Sequence, residues 1–128
     1  MKLFWLSIYN LILYPAFFIV AVLLCPFNHK IRAGFLGRYY SLKKLKDFKS
    51  MNSSSDIYWF HVSSFGEFQQ IESIISSIKN SNDNARIIVS FFSPSGYSNV
   101  NDNNIDCKIY LPFDFAWSIF RVLKLVKP

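Results

Sequence analysis

Two short polar segments follow strand-like stretches of this chain, and they hold the residue types best suited to chemistry. The first segment, Ser63–Glu67, comes directly after the aromatic and β-branched run Ile57–Val62. The second segment, Ser93–Tyr97, follows the run Arg86–Phe92 and is expected to be a loop. In parallel sheets, ligands bind beyond the carboxyl ends of the strands. Because both segments occupy that position, the pattern predicts one shared binding site.

The residue types leave two roles open for Glu67. It is the one carboxylate that the pattern places at a strand-to-helix junction, where a side chain of this type can act as a general base. With Ser64 as N-cap and Glu67 three residues later, the segment also matches a capping box. The residues alone favour capping. The two roles are compatible, because the start of a helix favours negative charge.

The elements that position these segments alternate between strand and helix. An amphipathic helix is predicted over Phe68–Lys79, a third strand over Cys107–Leu111 and a second helix over Phe115–Val126. The first strand, Ile57–Val62, is expected to be buried on both faces. This order predicts an α/β domain of βαβ units with a parallel sheet over residues 57–128. With three strands and an unpaired sheet edge, the domain is expected to be partial.

The N-terminal segment is predicted to be a membrane helix. The run Leu3–Phe27 carries no formal charge and exceeds the roughly 20 apolar residues that cross a bilayer. Trp5, Tyr9 and Tyr14 lie toward one end, as interfacial aromatic residues often do. We therefore predict an anchor over residues 1–28. A buried core helix is the remaining alternative, since a cleavable signal peptide would have a shorter apolar region.

Residues 29–56 are expected to form a basic linker with a short helix over Tyr39–Phe48. Gly34 and Gly37 interrupt this stretch, and a wholly solvated linker is the alternative. Its basic side chains predict that the C-terminal side of the anchor faces the cytoplasm, near anionic headgroups. They are His29, Lys30, Arg32, Arg38, Lys43, Lys44, Lys46 and Lys49.

Composition, charge and the motifs that do not occur restrict the classes of function that this chain can have. The 128 residues suffice for one domain plus an anchor, and the net charge of +6 indicates an anionic neighbour. Nucleic acid is disfavoured, because the lysines adjoin the membrane segment and have few aromatic stacking platforms nearby. Two cysteines and two histidines predict neither a disulfide framework nor a zinc site. The usual dinucleotide, P-loop and α/β-hydrolase motifs do not occur.

Three motifs in order resemble those of the bacterial 3-deoxy-D-manno-octulosonic acid (Kdo) transferases. Tyr58–Phe68 resembles the W-x-H-x-x-S-x-G-E signature of their N-terminal domain. Phe91–Tyr97 resembles the T/S-P-T/S-G element that follows the next strand. Tyr110–Asp114 resembles the Y-L-P-x-D element, and Lys124–Pro128 the segment just after it. Each motif is weak alone, but their order and spacing make the resemblance specific.

The resemblance implies the Rossmann-like N-terminal, acceptor-binding half of a two-domain GT-B enzyme in lipopolysaccharide synthesis. Such an enzyme transfers Kdo with inversion from CMP-Kdo to a lipid A precursor at the cytoplasmic face of the inner membrane, without a cofactor or a required metal. Glu67 matches the general base. The acceptor would contact Ser63, Ser64, Gly66, Ser93, Ser95 and Gly96, although capping and turn formation are alternative roles for these residues. We expect the donor domain to be absent, which would leave the chain inactive alone. A membrane-anchored glycolipid- or partner-binding module without activity is the rival function.

Overall fold

The computed structural model describes residues 2–113 and 116–126, and it begins with an apolar helix. Helix α1 (Lys2–Ile8) continues through a π-helical turn (Tyr9–Leu13) into α2 (Tyr14–Leu24). The turn ends two residues before Pro15, which has no N–H to offer the preceding turn, so the hydrogen-bonding pattern must change there. We call the stretch from Phe4 to Leu24 the N-terminal helix.

Among the residues that the structure describes, the N-terminal helix is the one segment with the length and composition to cross a membrane. It has 21 residues, a mean hydropathy of 2.1, and no buried residue in its most apolar part. Leu11 is 75% exposed and Phe17 is 67% exposed. A core helix would bury such side chains, so this exposure argues against the core-helix alternative.

Residues 29–51 differ from the predicted linker with a short helix. They form one 23-residue helix, α3 (His29–Met51), with Asn28 accepting hydrogen bonds from two amides at its start. Gly34 and Gly37 do not interrupt it. They lie where the helix approaches other parts of the protein, and an ideal Cβ at Gly37 would overlap the ring of Tyr110. The glycines therefore permit close packing, a role that the sequence pattern did not reveal.

The predicted α/β architecture with a parallel sheet is confirmed. Strands β1 (Asp56–Val62), β2 (Ala85–Phe91) and β3 (Cys107–Tyr110) pair in the order β1-β2-β3, and both pairings are parallel. Strand β2 is central and nearly all buried. Strand β1 lies at one edge of this sheet, and most of its residues are half-buried or exposed. The expectation that β1 is buried on both faces was therefore wrong.

Helices cover the two faces of the sheet, each over its own apolar cluster. Helix α4 (Phe65–Ser81) packs over one face, where the buried cluster is Val62, Phe68, Ile75, Ile87, Val89, Phe91 and Val100. Helices α3 and α6 (Ala116–Val126) cover the other face, over Leu45, Phe48, Ile88, Cys107, Ile109, Val122 and Val126. Alternate residues of β2 belong to the two clusters, as expected for a central strand whose sheet has helices packed on both faces.

One further difference concerns the chain after β2. The predicted loop contains a short helix, α5 (Pro94–Asn99), which begins with Ser93 as N-cap and a proline in its first turn. The last helix predicted from the sequence is confirmed and corresponds to α6. Asp114 and Phe115, which we expected in the last motif and at the start of this helix, lie outside the described residues.

Candidate functional site

The two polar segments lie side by side at the carboxyl ends of β1 and β2, as predicted. The ladder between these strands continues beyond them, because the amide of Phe92 donates to the carbonyl of Val62 at 3.1 Å. The amide of Ser93 then donates to the carbonyl of Ser63 at 3.2 Å. These bonds fix the relative position of the segments, and the parallel register of β1 and β2 brings them together.

The first segment forms the start of α4. Ser64 is the N-cap, and its hydroxyl accepts a hydrogen bond from the amide of Glu67 at 3.3 Å. The Oε2 atom of Glu67 accepts a bond from the amide of Ser63 at 2.7 Å. The predicted capping arrangement is therefore present, with one difference: the carboxylate reaches the residue before the N-cap.

Capping occupies only part of the Glu67 carboxylate. Within the described residues, its second oxygen, Oε1, receives no hydrogen bond, and the side chain is exposed. A carboxylate fixed through one oxygen and open at the other can accept a proton from a ligand hydroxyl placed against it. The geometry thus permits both roles that the sequence left open.

Gly66 leaves open space next to this carboxylate. A Cβ atom added there would meet no atom within 4 Å, and the backbone does not adopt a left-handed conformation. Neither packing nor a tight turn therefore requires glycine at this position. The free space is on the protein surface, so a ligand can approach the backbone of α4 closely.

The second segment is organised around Ser93. Its hydroxyl accepts from the amide of Gly96 at 3.0 Å and lies 3.3 Å from the hydroxyl of Ser95. Gly96 is buried, and a Cβ there would lie 3.1 Å from the Phe91 ring and 3.3 Å from the amide nitrogen of Phe65. Because Gly96 has no side chain, the starts of α4 and α5 can pack closely against each other. The exposed hydroxyl of Ser95 is the part of this segment that a ligand meets.

Arg38, one of the basic residues of the predicted linker, adjoins the second segment. Its guanidinium donates to the carbonyl of Phe92 at 2.7 Å and to the carbonyl of Gly34 at 3.0 Å. It also lies over the rings of Phe92 and Tyr110, at 5.2 and 5.7 Å from the centroids. Burial lowers the pKa of Arg38, which still leaves it cationic at physiological pH. Arg38 lies four residues after Gly34. This spacing places its side chain beside the Gly34 carbonyl only because α3 is continuous through both residues.

An apolar groove separates the N-terminal helix from this end of the sheet. The rings of Phe18, Phe35 and Phe113 hold its two walls together, with centroids between 5.0 and 5.4 Å apart. The volume of this open groove is about 660 Å³. Ser93 and Arg38 contribute to its lining, so the groove opens beside the candidate site.

The described part of the chain contains no group of three or more His, Cys, Asp or Glu side chains arranged to hold a metal ion. The site instead offers a carboxylate, serine hydroxyls, open backbone at a helix start and one half-buried cation. These groups suit a polar ligand with hydroxyl and anionic substituents.

Comparison with known proteins assigns this arrangement to a family. Residues 33–128 match the family model for 3-deoxy-D-manno-octulosonic-acid transferase (kdotransferase). We found no match among curated proteins and none among solved structures. The family match covers α3 from Ala33 onward, the whole described sheet and both polar segments, and the resemblance inferred from the motifs is thereby confirmed. The chain belongs to the Kdo transferase family of glycosyltransferases, and its Rossmann-like fold is that of the family's N-terminal domain.

Proposed function

We propose that this chain forms the acceptor side of an enzyme that transfers Kdo from CMP-Kdo to a glucosamine hydroxyl of a lipid A precursor. Glu67 carries the proposal, because its carboxylate is held through one oxygen and open at the other. Family membership supports the reaction class. The N-terminal helix supports a lipid acceptor, since it would keep the domain at a membrane surface.

In this mechanism Glu67 acts as the general base. The acceptor hydroxyl oxygen forms a bond to the anomeric carbon of Kdo while Oε1 of Glu67 takes up the hydroxyl proton. The bond between that carbon and the CMP phosphate breaks, and CMP leaves with the bonding electron pair. Attack opposite the leaving group inverts the anomeric configuration, as expected of an inverting GT-B enzyme. The Ser63 amide, at 2.7 Å from Oε2, keeps the carboxylate oriented during the step.

The remaining site residues are either exposed, where they can contact the acceptor, or less exposed, where they position the others. Ser63 and Ser95 are exposed, and we assign their hydroxyls to hydrogen bonds with acceptor oxygens. Gly66 admits the sugar ring close to α4. Ser64 and Ser93 cap α4 and α5 and thereby position these groups, and Gly96 holds the two helix starts together.

We further propose that the domain lies on the cytoplasmic face of the bacterial inner membrane, where it meets the acceptor and anionic lipids. The exposed cations of α3, including Lys43, Lys46 and Arg32, suit anionic headgroups. We assign CMP-Kdo binding to the donor domain of the complete enzyme, with no metal or other cofactor. The chain by itself then binds acceptor without transferring Kdo.

A chimeric transferase tests this function. The chain is joined to the donor domain of another Kdo transferase, and transfer from CMP-Kdo to a tetra-acylated lipid A precursor is measured by mass spectrometry. We expect Kdo addition by the chimera and none by the chain alone. If the chain binds the precursor but the chimera, correctly folded and able to bind CMP-Kdo, adds no Kdo, the rival function of a non-catalytic glycolipid-binding module is favoured.

A further inference from the structure

The apolar groove beside the site has the size and shape of a ligand pocket. Its volume of about 660 Å³ lies within the usual range for small-molecule sites, roughly 300–1,000 Å³. One wall is the N-terminal helix, with Phe17, Ala21 and Leu24, and the other includes Ile31 and Phe35 of α3. Such walls bind a hydrocarbon chain and offer little to a polar ligand.

Charge is confined to the part of the groove formed by α3. Among the described residues that line it, the two charged side chains are Lys30 and Arg38, and both are cationic. Lys30 is exposed at the surface, whereas Arg38 is partly buried against Phe92. A guanidinium has five N–H donors, and the two bonds to carbonyl groups leave others available. An apolar cavity with cations on one side is complementary to a lipid that carries an anionic headgroup.

The groove also adjoins the proposed transfer site. Ser93 and Pro94 line it, and the amide of Ser93 is bonded to Ser63, whose own amide holds Glu67. A ligand with its chain in the groove can therefore direct its headgroup toward the exposed serine hydroxyls and the open oxygen of Glu67. The chain and the headgroup of one molecule can then be bound together.

We propose that this groove binds one acyl chain of the acceptor glycolipid, with Lys30 and Arg38 contacting the anionic groups of its headgroup. The inference rests on the proposed function and extends it: the acceptor is selected by its chain as well as by its sugar. The chain leaves the bilayer and enters the groove along the N-terminal helix, which forms one wall. This helix is thus a part of the substrate site, in addition to any role in membrane attachment.

A pair of matched substitutions tests the proposal. Ala21 lines the groove, whereas Ala16 lies on the same helix, is exposed and does not line it. The full-length chain in detergent is titrated with a tetra-acylated glucosamine disaccharide bisphosphate and with its deacylated form. We expect Ala21→Trp to weaken binding of the acylated ligand by about tenfold, the effect of displacing about two methylene groups. Ala16→Trp should bind as wild type, and neither variant should alter binding of the deacylated form.

Photocrosslinking locates the chain directly, even if Ala21→Trp disturbs the helix. A diazirine at the end of one acyl chain should label groove residues such as Phe17 and Leu24 in the wild-type chain. Labelling of Ile19 and Leu23 instead, which are exposed and outside the groove, would overturn the proposal. Equal competition by excess phosphatidylglycerol would also overturn it, because the groove would then be a general lipid contact.

The chimeric transferase separates this inference from the proposed function. If the chimera transfers Kdo to the acylated and the deacylated acceptor with equal efficiency, the groove proposal is wrong and the transfer function stands. If the chimera transfers to neither acceptor, the transfer function fails, and the binding and crosslinking results still decide whether the groove holds a chain.

Discussion

The amide of Ser63 donates a 2.7 Å hydrogen bond to Oε2 of Glu67, so the carboxylate proposed as the base is also part of a helix cap. One contact thus orients the side chain and completes the start of α4. The two roles are separable by experiment, because capping needs only an acceptor oxygen whereas proton transfer needs a basic one.

Replacing Glu67 with Gln is expected to abolish most transfer while preserving the fold. The Gln carbonyl oxygen can still accept from Ser63, but the amide cannot take up the acceptor proton. We expect turnover of the chimeric transferase to fall by about 10²–10⁴ with little change in melting temperature. Glu72→Gln is the matched control, since Glu72 is an exposed carboxylate on the same helix away from the site. Near-normal turnover together with a lower melting temperature would show that Glu67 is only a cap.

Gly66→Ala should weaken acceptor binding without lowering the stability of the fold. The new methyl group meets no protein atom, and alanine is favoured over glycine in a helix by roughly 0.5–1 kcal/mol, so stability should hold or rise. Acceptor affinity should fall, because the methyl group occupies the space assigned to the sugar. Isothermal titration with the lipid A precursor and thermal melting measure the two effects. Unchanged affinity would remove Gly66 from the site.

Gly37→Ala is expected to destabilise the chain. A Cβ there would overlap the ring of Tyr110, which is buried and stacked on Tyr97 at 4.2 Å between centroids. Because the stacked ring cannot move aside freely, α3 must shift from the sheet, at an expected loss of about 1–3 kcal/mol in unfolding free energy. Urea denaturation measures this loss against Gly66→Ala as the control. A Gly37→Ala variant as stable as wild type would contradict the close packing of α3 on β3.

Charges on the N-terminal helix should abolish membrane binding. Ile19 and Leu23 are exposed, at 58% and 65%, and neither lines the groove. The double variant Ile19→Arg, Leu23→Arg places cations on a face that would contact hydrocarbon, and we expect it to stay in the soluble fraction when wild type floats with vesicles. Phe120→Arg on α6, where Phe120 is 72% exposed, is the control for a new surface arginine. Flotation of the double variant with vesicles as complete as that of wild type would contradict membrane attachment through this face.

Alkaline pH should destabilise the folded chain through Cys107. Burial raises the pKa of Cys107 from 9.0 to about 11. Between these values the unfolded thiol ionises while the folded thiol stays neutral, so rising pH favours the unfolded state. Below the lower value both thiols are neutral and the group contributes no pH dependence.

Denaturation of wild type and Cys107→Ala isolates this contribution. From about pH 9 to about pH 11, the unfolding free energy of wild type should fall by about 1.4 kcal/mol per pH unit more than that of the variant. Comparison of slopes removes the constant effect of the lost side chain and the titration of Lys108 and Tyr110. Parallel slopes in the two proteins would show that the folded thiol ionises normally.

Local patterns were sufficient for the three strands, for α4 and α6, and for the place of the site. Hydrophobic periodicity in the sequence indicated the strands and α4, because side chains alternate across strands and recur every 3.6 residues in helices. Ser64 and Glu67 predicted the start of α4 from capping chemistry. The rule that parallel strands present their carboxyl ends at one edge predicted the meeting of Ser63 with Ser93.

Contacts between residues distant in sequence were decided only by the tertiary structure. Gly34 and Gly37 suggested a broken linker, because nothing nearby in sequence reveals that Pro94 and Tyr110 would pack against them. The contact between Arg38 and the carbonyl of Phe92 depends on the continuity of α3, which the sequence pattern did not indicate. The groove beside the site likewise depends on the docking of Phe18 against Phe113, far apart in the chain. Periodicity reports which way a side chain faces, whereas packing between elements depends on the shape of both partners, and a single sequence does not state which partners meet.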